Sequence, residues 1–282
     1  MWLVFLILGV AAASTLIGVA LVLFWAVPKV ENRFVFRPTG EILRTPADYG
    51  IPFQQCFFET ADGCRLSAWH FFPLNPRASV IYFHGNSGNL GLFTEVFQLL
   101  YRHGIQVFAV DYRGYGWSTG SPSETGVYRD ALETIGYFKE RMKTSGRPPL
   151  IYWGRSLGGC VAAFAASKSP PDGLILETAF PSKKSLLKNY PRLRLFQLFS
   201  RSRLDTAKHL KGHRFPVLLL HGDQDRTVPL EQGQSLFRKL TGPKQFRQIR
   251  GADHINIHRL DSAAYMRYVL EFAKEIGPRR VN

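Results

Sequence analysis

The chain has 282 residues, 45% of them hydrophobic and 13% aromatic, which is ample for a substantial core and excludes a disordered protein. A formal net charge of +15 limits the partners to nucleic acid, a membrane surface or anionic substrates. The 3 cysteines (Cys56, Cys64, Cys160) are too sparse for a disulfide framework, and no Cys/His spacing resembles a zinc site, so no cofactor and no metal are expected.

Trp2 to Val27 carries no charged side chain. As a helix rising 1.5 Å per residue it spans roughly 39 Å, enough to cross a hydrocarbon core of about 30 Å with some tilt. Trp2 and Trp25 suit the two interfaces, and Pro28 is read as the helix stop. A cleaved signal peptide is the competing reading, with Ala11-Ala12-Ala13-Ser14 supplying small residues. Against it, no Lys or Arg precedes the apolar run, which exceeds the usual h-region of about 7–15 residues. The expected organisation is a transmembrane anchor over 1-28 and one domain over 29-282. Lys29, Arg33 and Arg37, opposed by Glu31, place that domain on the cytoplasmic side by the positive-inside tendency.

Gln55–Thr60 and Cys64–Phe71, separated by Ala61-Asp62-Gly63, predict a β-hairpin. Apolar runs at Ser79–Phe83, Gln106–Val110, Leu150–Trp153, Gly173–Leu176 and Pro216–Leu220 follow. They alternate with helical patterns at Gly91–Arg102, Ser123–Lys143, Leu157–Ser167, Leu230–Leu240 and His258–Ile276. Such alternation predicts an α/β fold: a mostly parallel sheet, helices on both faces, and the hairpin as its antiparallel edge. Pro181 to His213 breaks the rhythm. From Lys183 to Arg214 ten lysines and arginines face one acid, Asp205, among scattered apolar residues. The segment reads either as a small basic lid above the sheet's carboxyl edge or as a solvated basic connector.

Chemistry concentrates at strand ends. Gly154-Arg155-Ser156-Leu157-Gly158 is a G-x-S-x-G between an apolar strand and a helix, the context in which a strained turn exposes a serine hydroxyl. Gly116-Trp117-Ser118-Thr119-Gly120 matches the same pattern but follows a polar loop and runs into Ser121-Pro122, so Ser118 is assigned to a surface loop. Ser156 is the candidate nucleophile. It needs a base, and the base an orienting acid. His254 in Gly251-Ala252-Asp253-His254 is the candidate base. Asp225 is the favoured acid over Asp223, with Glu177 as the fallback. For the oxyanion, the backbone N–H of Leu157 and that of Asn86, in His84-Gly85-Asn86-Ser87-Gly88-Asn89, are the candidate donors.

The segments FHGNSGN, DYRGYGWSTGSPSE, GRSLGG, HGDQDRTVP and GADH, in this order, resemble the α/β-hydrolase superfamily over roughly Ile51 to Ile276. More narrowly they resemble its single-pass membrane group of esterase, lysophospholipase-like and depalmitoylase-like proteins. The resemblance implies a Ser156, Asp225 and His254 triad, with the second aspartate of HGDQD as the acid. It implies hydrolysis of an ester or thioester through an acyl-Ser156 intermediate. The anchor and the basic segment point to a lipid-derived or lipidated substrate at an anionic membrane surface. A peptidase acting on short peptides and a non-catalytic membrane scaffold are the alternatives. Nucleic acid is not an expected partner, since no recognition motif accompanies the charge.

Overall fold

The computed structural model describes residues 1–142, 148–190, 200 and 202–277. The first helix is α1 (Trp2–Val35). The strands are β1 (Arg37–Pro38), β2 (Gln54–Glu59), β3 (Arg65–Phe71), β4 (Ala78–Phe83), β5 (Ser87–Gly88), β6 (Ile105–Asp111), β7 (Leu150–Arg155), β8 (Gly173–Glu177), β9 (Val217–Gly222) and β10 (Lys244–Ile249). The further helices are α2 (Thr94–Arg102), α3 (Glu124–Arg141), α4 (Leu157–Lys168), α5 (Lys183–Leu187), α6 (Thr206–His209), α7 (Leu230–Lys239), α8 (Ile257–Leu260) and α9 (Ser262–Ile276).

Eight strands make one sheet in the order β10-β9-β8-β7-β4-β6-β3-β2. All neighbours from β10 to β6 are parallel, while β3 runs antiparallel to β6 and β2 antiparallel to β3. The hairpin is therefore the antiparallel edge, turning at Gly63 with φ of 80°. The short β1 pairs with β5, fastening the segment after α1 to the loop that follows β4.

The central strands read as unbroken apolar runs because both of their faces are covered. Ile81, Phe83, Phe108, Val110 and Tyr152 feed one apolar layer under α3, α4 and, through Leu236, α7. Val80, Tyr82, Val107, Ala109, Ile151 and Trp153 feed the other, under α2 and α9. Each fully buried large side chain contributes about 1.5–3 kcal/mol, so these layers hold the fold and leave the loops at the strand ends to carry polar groups.

Three expectations change. The backbone stays helical past Pro28 to Val35, since an interior proline removes one hydrogen bond without ending the helix by itself. Among the described residues no helix is long and apolar enough to cross a membrane, so the anchor expected over 1-28 gains no support from the structure. The final helix is divided into α8 and α9, because Asp261 caps a new start by accepting from the Ala264 amide at 2.9 Å. Of the proposed lid over 181-213, α5 and α6 are described, whereas 191–199 and 201 lie outside the described residues.

Candidate active site

Ser156 sits between β7 and α4 with φ 54° and ψ −117°, a left-handed conformation that costs a side-chain-bearing residue about 1–3 kcal/mol. The flanking elements enforce it. Its amide donates to the Glu177 carbonyl at 2.8 Å, and its carbonyl accepts from the Gly159 amide at 2.9 Å. The glycines of the motif are required by close approach. A Cβ on Gly154 would lie 2.3 Å from the Gly158 carbonyl oxygen, and one on Gly158 would lie 2.0 Å from that of Phe83. The second motif match has a different job: the Ser118 hydroxyl donates to the Asp111 carbonyl at 2.7 Å and accepts from the Ser67 amide at 2.8 Å, fixing the loop after β6.

Asp225 lies in the loop after β9 and His254 in the loop after β10. Their side chains meet, with His254 Nδ1 2.7 Å from Asp225 Oδ2. Asp225 Oδ1 accepts from the amides of Thr227 at 2.9 Å and Val228 at 2.7 Å, so the carboxylate is held from its own loop. With Nδ1–H donated to the carboxylate, His254 keeps Nε2 as its acceptor nitrogen. His221, beside the same carboxylate at 3.6 Å, points Nε2 to the Val228 carbonyl at 2.8 Å, and burial depresses its pKa.

The competing acids are engaged elsewhere. Asp223 accepts from the Gly251 amide at 2.6 Å and from Gln248 Nε2 at 3.1 Å, bracing the loop that leads to His254. Glu177 is fully buried and accepts from Trp153 Nε1 at 3.0 Å and from the Tyr265 hydroxyl at 2.7 Å. It also pairs with Arg155 at 3.2 Å.

The loop after β4 runs against the elbow: a Cβ on Gly85 would lie 3.8 Å from Ser156 Cβ. Asn86 is locked in place. Its carbonyl accepts from the Arg37 amide and the Tyr115 hydroxyl, each at 2.8 Å, and its Nδ2 donates to the Val35 carbonyl at 3.2 Å. Among the described residues no hydrogen bond engages the backbone N–H of Asn86 or of Leu157. Beneath this loop His84 Nε2 faces Asp111 Oδ1 at 3.5 Å, both side chains fully buried. Burial pushes Asp111 up to about 8 and His84 down to about 4, so the pair is neutral at pH 7.

Two features escaped the sequence reading. One is Arg155, which besides meeting Glu177 donates from Nη2 to the carbonyls of His254 at 2.7 Å and Ile255 at 3.2 Å. A charged residue at the end of a doubly covered strand must find a buried partner, and Glu177 closing the next strand was the visible candidate. The other is Glu31 of α1, bonded to Lys183, Ser200 and Ser202. Burial opposes its ionisation, but hydrogen bonds from those three residues hold its pKa well below the usual carboxylate range. Among the described residues no group of His, Cys, Asp and Glu is arranged to hold a metal ion.

A family model described as alpha/beta hydrolase fold matches residues 78–199. The uncharacterized membrane protein YNL320W of Saccharomyces cerevisiae is 35% identical over 233 residues, covering 79% of this chain and 80% of that protein. The lysophosphatidylserine lipase ABHD12 of Mus musculus is 28% identical over 258 residues, covering 77% of this chain and 64% of the relative, so the match spans less than two thirds of that protein. Among solved structures, the Pyrococcus furiosus esterase Pf2001 superposes with a TM-score of 0.72 at 18% identity, covering 86% of this chain and 98% of that one. An alpha-beta hydrolase from Vibrio vulnificus gives 0.70 at 24% identity, covering 84% and 88%. At these identities the structural likeness speaks to fold alone. On the sequence relationship and the sheet topology together, this chain belongs to the α/β-hydrolase family.

Proposed function

We propose that this chain is a serine hydrolase that cleaves a carboxylic ester or thioester of a lipid-derived or lipidated substrate through an acyl-Ser156 intermediate. The observation that carries the reading is the 2.7 Å hydrogen bond between His254 and Asp225, on the same sheet edge as a serine held at positive φ. In this cycle His254 Nε2 takes the proton of the Ser156 hydroxyl while the oxygen attacks the acyl carbon. The backbone N–H groups of Asn86 and Leu157 receive the oxyanion, each such donor contributing about 2.7–4 kcal/mol. The imidazolium returns its proton to the leaving alcohol or thiol. Water deprotonated by His254 then releases the acid and restores Ser156.

The lipid assignment is supported by a relative named as a lysophosphatidylserine lipase, by another named as a membrane protein, and by the net charge of +15. We carry the membrane anchor as part of the same proposal. Its supports are the charge-free run from Trp2 to Val27 and the likeness to a relative named as a membrane protein. The domain would then lie on the cytoplasmic side, with 181-213 as a basic lid facing anionic lipid. Fluorophosphonate labelling of membranes tests the core of the reading. Wild type should label and Ser156→Ala should not; equal labelling of the two would refute it.

A further inference from the structure

Nucleophile and base stand on different loops, and one buried side chain ties them together. Arg155 directly precedes Ser156, and its side chain is only 7% exposed. Nη1 meets Glu177 Oε1 at 3.2 Å, while Nη2 reaches the carbonyls of His254 and Ile255, about a hundred positions along the chain. Its guanidinium lies 5.5 Å from the centroid of the Phe93 ring, which limits its tilt. Glu177 closes the arrangement from below. Its backbone carbonyl holds the Ser156 amide, and its carboxylate, oriented by Trp153 and Tyr265, holds Arg155.

We propose that Arg155 is a positioning residue that registers the His254 loop to the Ser156 elbow. The inference rests on the serine-hydrolase reading and goes beyond it. A buried ion pair contributes little net stability over apolar residues of the same volume. The geometry supplies what stability does not. The loop carrying His254 is braced from β9 by Asp223 and by the Gln224 amide, which donates to the Ala252 carbonyl at 2.9 Å. Arg155 adds a second brace from the end of β7, two strands beyond β9, by gripping the backbone of the base itself. A planar, forked donor meets two adjacent carbonyls and one carboxylate together, which a lysine ammonium on a flexible stem does less well. With the grip lost, His254 keeps its bond to Asp225 but is free to drift relative to the Ser156 hydroxyl. A misplacement near 1 Å costs about a hundredfold in rate.

The test compares the purified full-length wild type with the double variant Arg155→Met/Glu177→Gln, in which no buried charge is left without a partner. The glutamine carbonyl can still accept from Trp153 and Tyr265. Turnover of p-nitrophenyl butyrate and the second-order rate of fluorophosphonate labelling should both fall about a hundredfold, with KM changed by less than about threefold. Arg155→Lys should lie between wild type and the double variant. A folded double variant that labels and turns over at wild-type rates would overturn the inference. Should the double variant not fold, Arg155→Lys decides: a folded protein with lowered kcat and unchanged KM supports the inference, and wild-type kcat overturns it. Failure of the underlying reading looks different, since wild type itself would then not label or Ser156→Ala would label equally.

Discussion

Replacing Asp225 by asparagine alters one atom of a carboxylate whose three hydrogen bonds are all defined. Oδ1 accepts from the Thr227 and Val228 amides, and Oδ2 faces His254 Nδ1. The asparagine carbonyl can keep both amides, which leaves its NH2 group facing His254. The imidazole must then accept at Nδ1 and carry its proton on Nε2, where it cannot take a proton from Ser156. Loss of the correct tautomer costs about 10⁴ in kcat, or roughly 5.5 kcal/mol of transition-state stabilisation. The structural cost is smaller. A hydrogen bond to a charged acceptor contributes about 1.5–3 kcal/mol and a neutral one about 0.5–1.5, so the two amide bonds weaken by about 2 kcal/mol in total. For a domain of this size that lowers Tm by roughly 4–8 °C and leaves it folded at 25 °C. The assay is turnover of p-nitrophenyl butyrate beside a thermal melt, with Asp223→Asn as the comparison. Asp223→Asn should retain kcat within about tenfold, because that side chain braces the loop and not the imidazole. A folded Asp225→Asn protein with kcat within about tenfold of wild type would refute the assignment of the acid.

Gly158→Ala should destabilise by about 3 kcal/mol or more, because its Cβ would press on the backbone oxygens of Phe83 and His84 at 2.0 and 2.5 Å. An unchanged melting temperature would contradict the close packing of α4 against β4. Burial raises the pKa of folded Asp111 to about 8, whereas in the unfolded chain an ordinary aspartate loses its proton near 3.8. Its contribution to stability is therefore complete below that value and declines by up to about 1.4 kcal/mol per pH unit until the folded group ionises near pH 8. Asp111→Asn should flatten that decline in denaturant melts, and an identical pH dependence in the two proteins would count against the buried neutral pair. Under the anchor proposal, the full chain should stay with the membrane pellet after alkaline carbonate washing, and its release into the supernatant would remove the anchor from the account.

Much of the architecture was legible because it is local. Doubly covered strands such as Val80–Phe83 and Ile151–Trp153 announce themselves as unbroken apolar runs, and the turn chemistry of Ala61-Asp62-Gly63 marks the hairpin. The context that favoured Ser156 over Ser118 in the sequence, a strand before it and a helix after it, is present in the structure. The choice of Asp225 over Asp223 and Glu177 rested on chain order and resemblance. In the structure Asp225 bonds His254, and the other two carboxylates have different partners. What could not be read is the pairing of charges across the fold. His84 with Asp111 and Glu31 with Lys183 join residues on separate elements, and no periodicity encodes which of them become neighbours. The division of the last helix was missed for a smaller reason, since Asp261 as a cap competes with a helical pattern continuous on either side.

The central claim is the covalent intermediate, and it can be caught. Wild type incubated with p-nitrophenyl trimethylacetate, whose hindered acyl group slows attack by water, is quenched in acid and digested with trypsin. Cleavage after Arg155 and Lys168 isolates a peptide that begins at Ser156. The trimethylacetyl mass should appear on that peptide, located to Ser156 by fragmentation and absent from Ser156→Ala. A stable adduct on another residue, or the same adduct in Ser156→Ala, would contradict it.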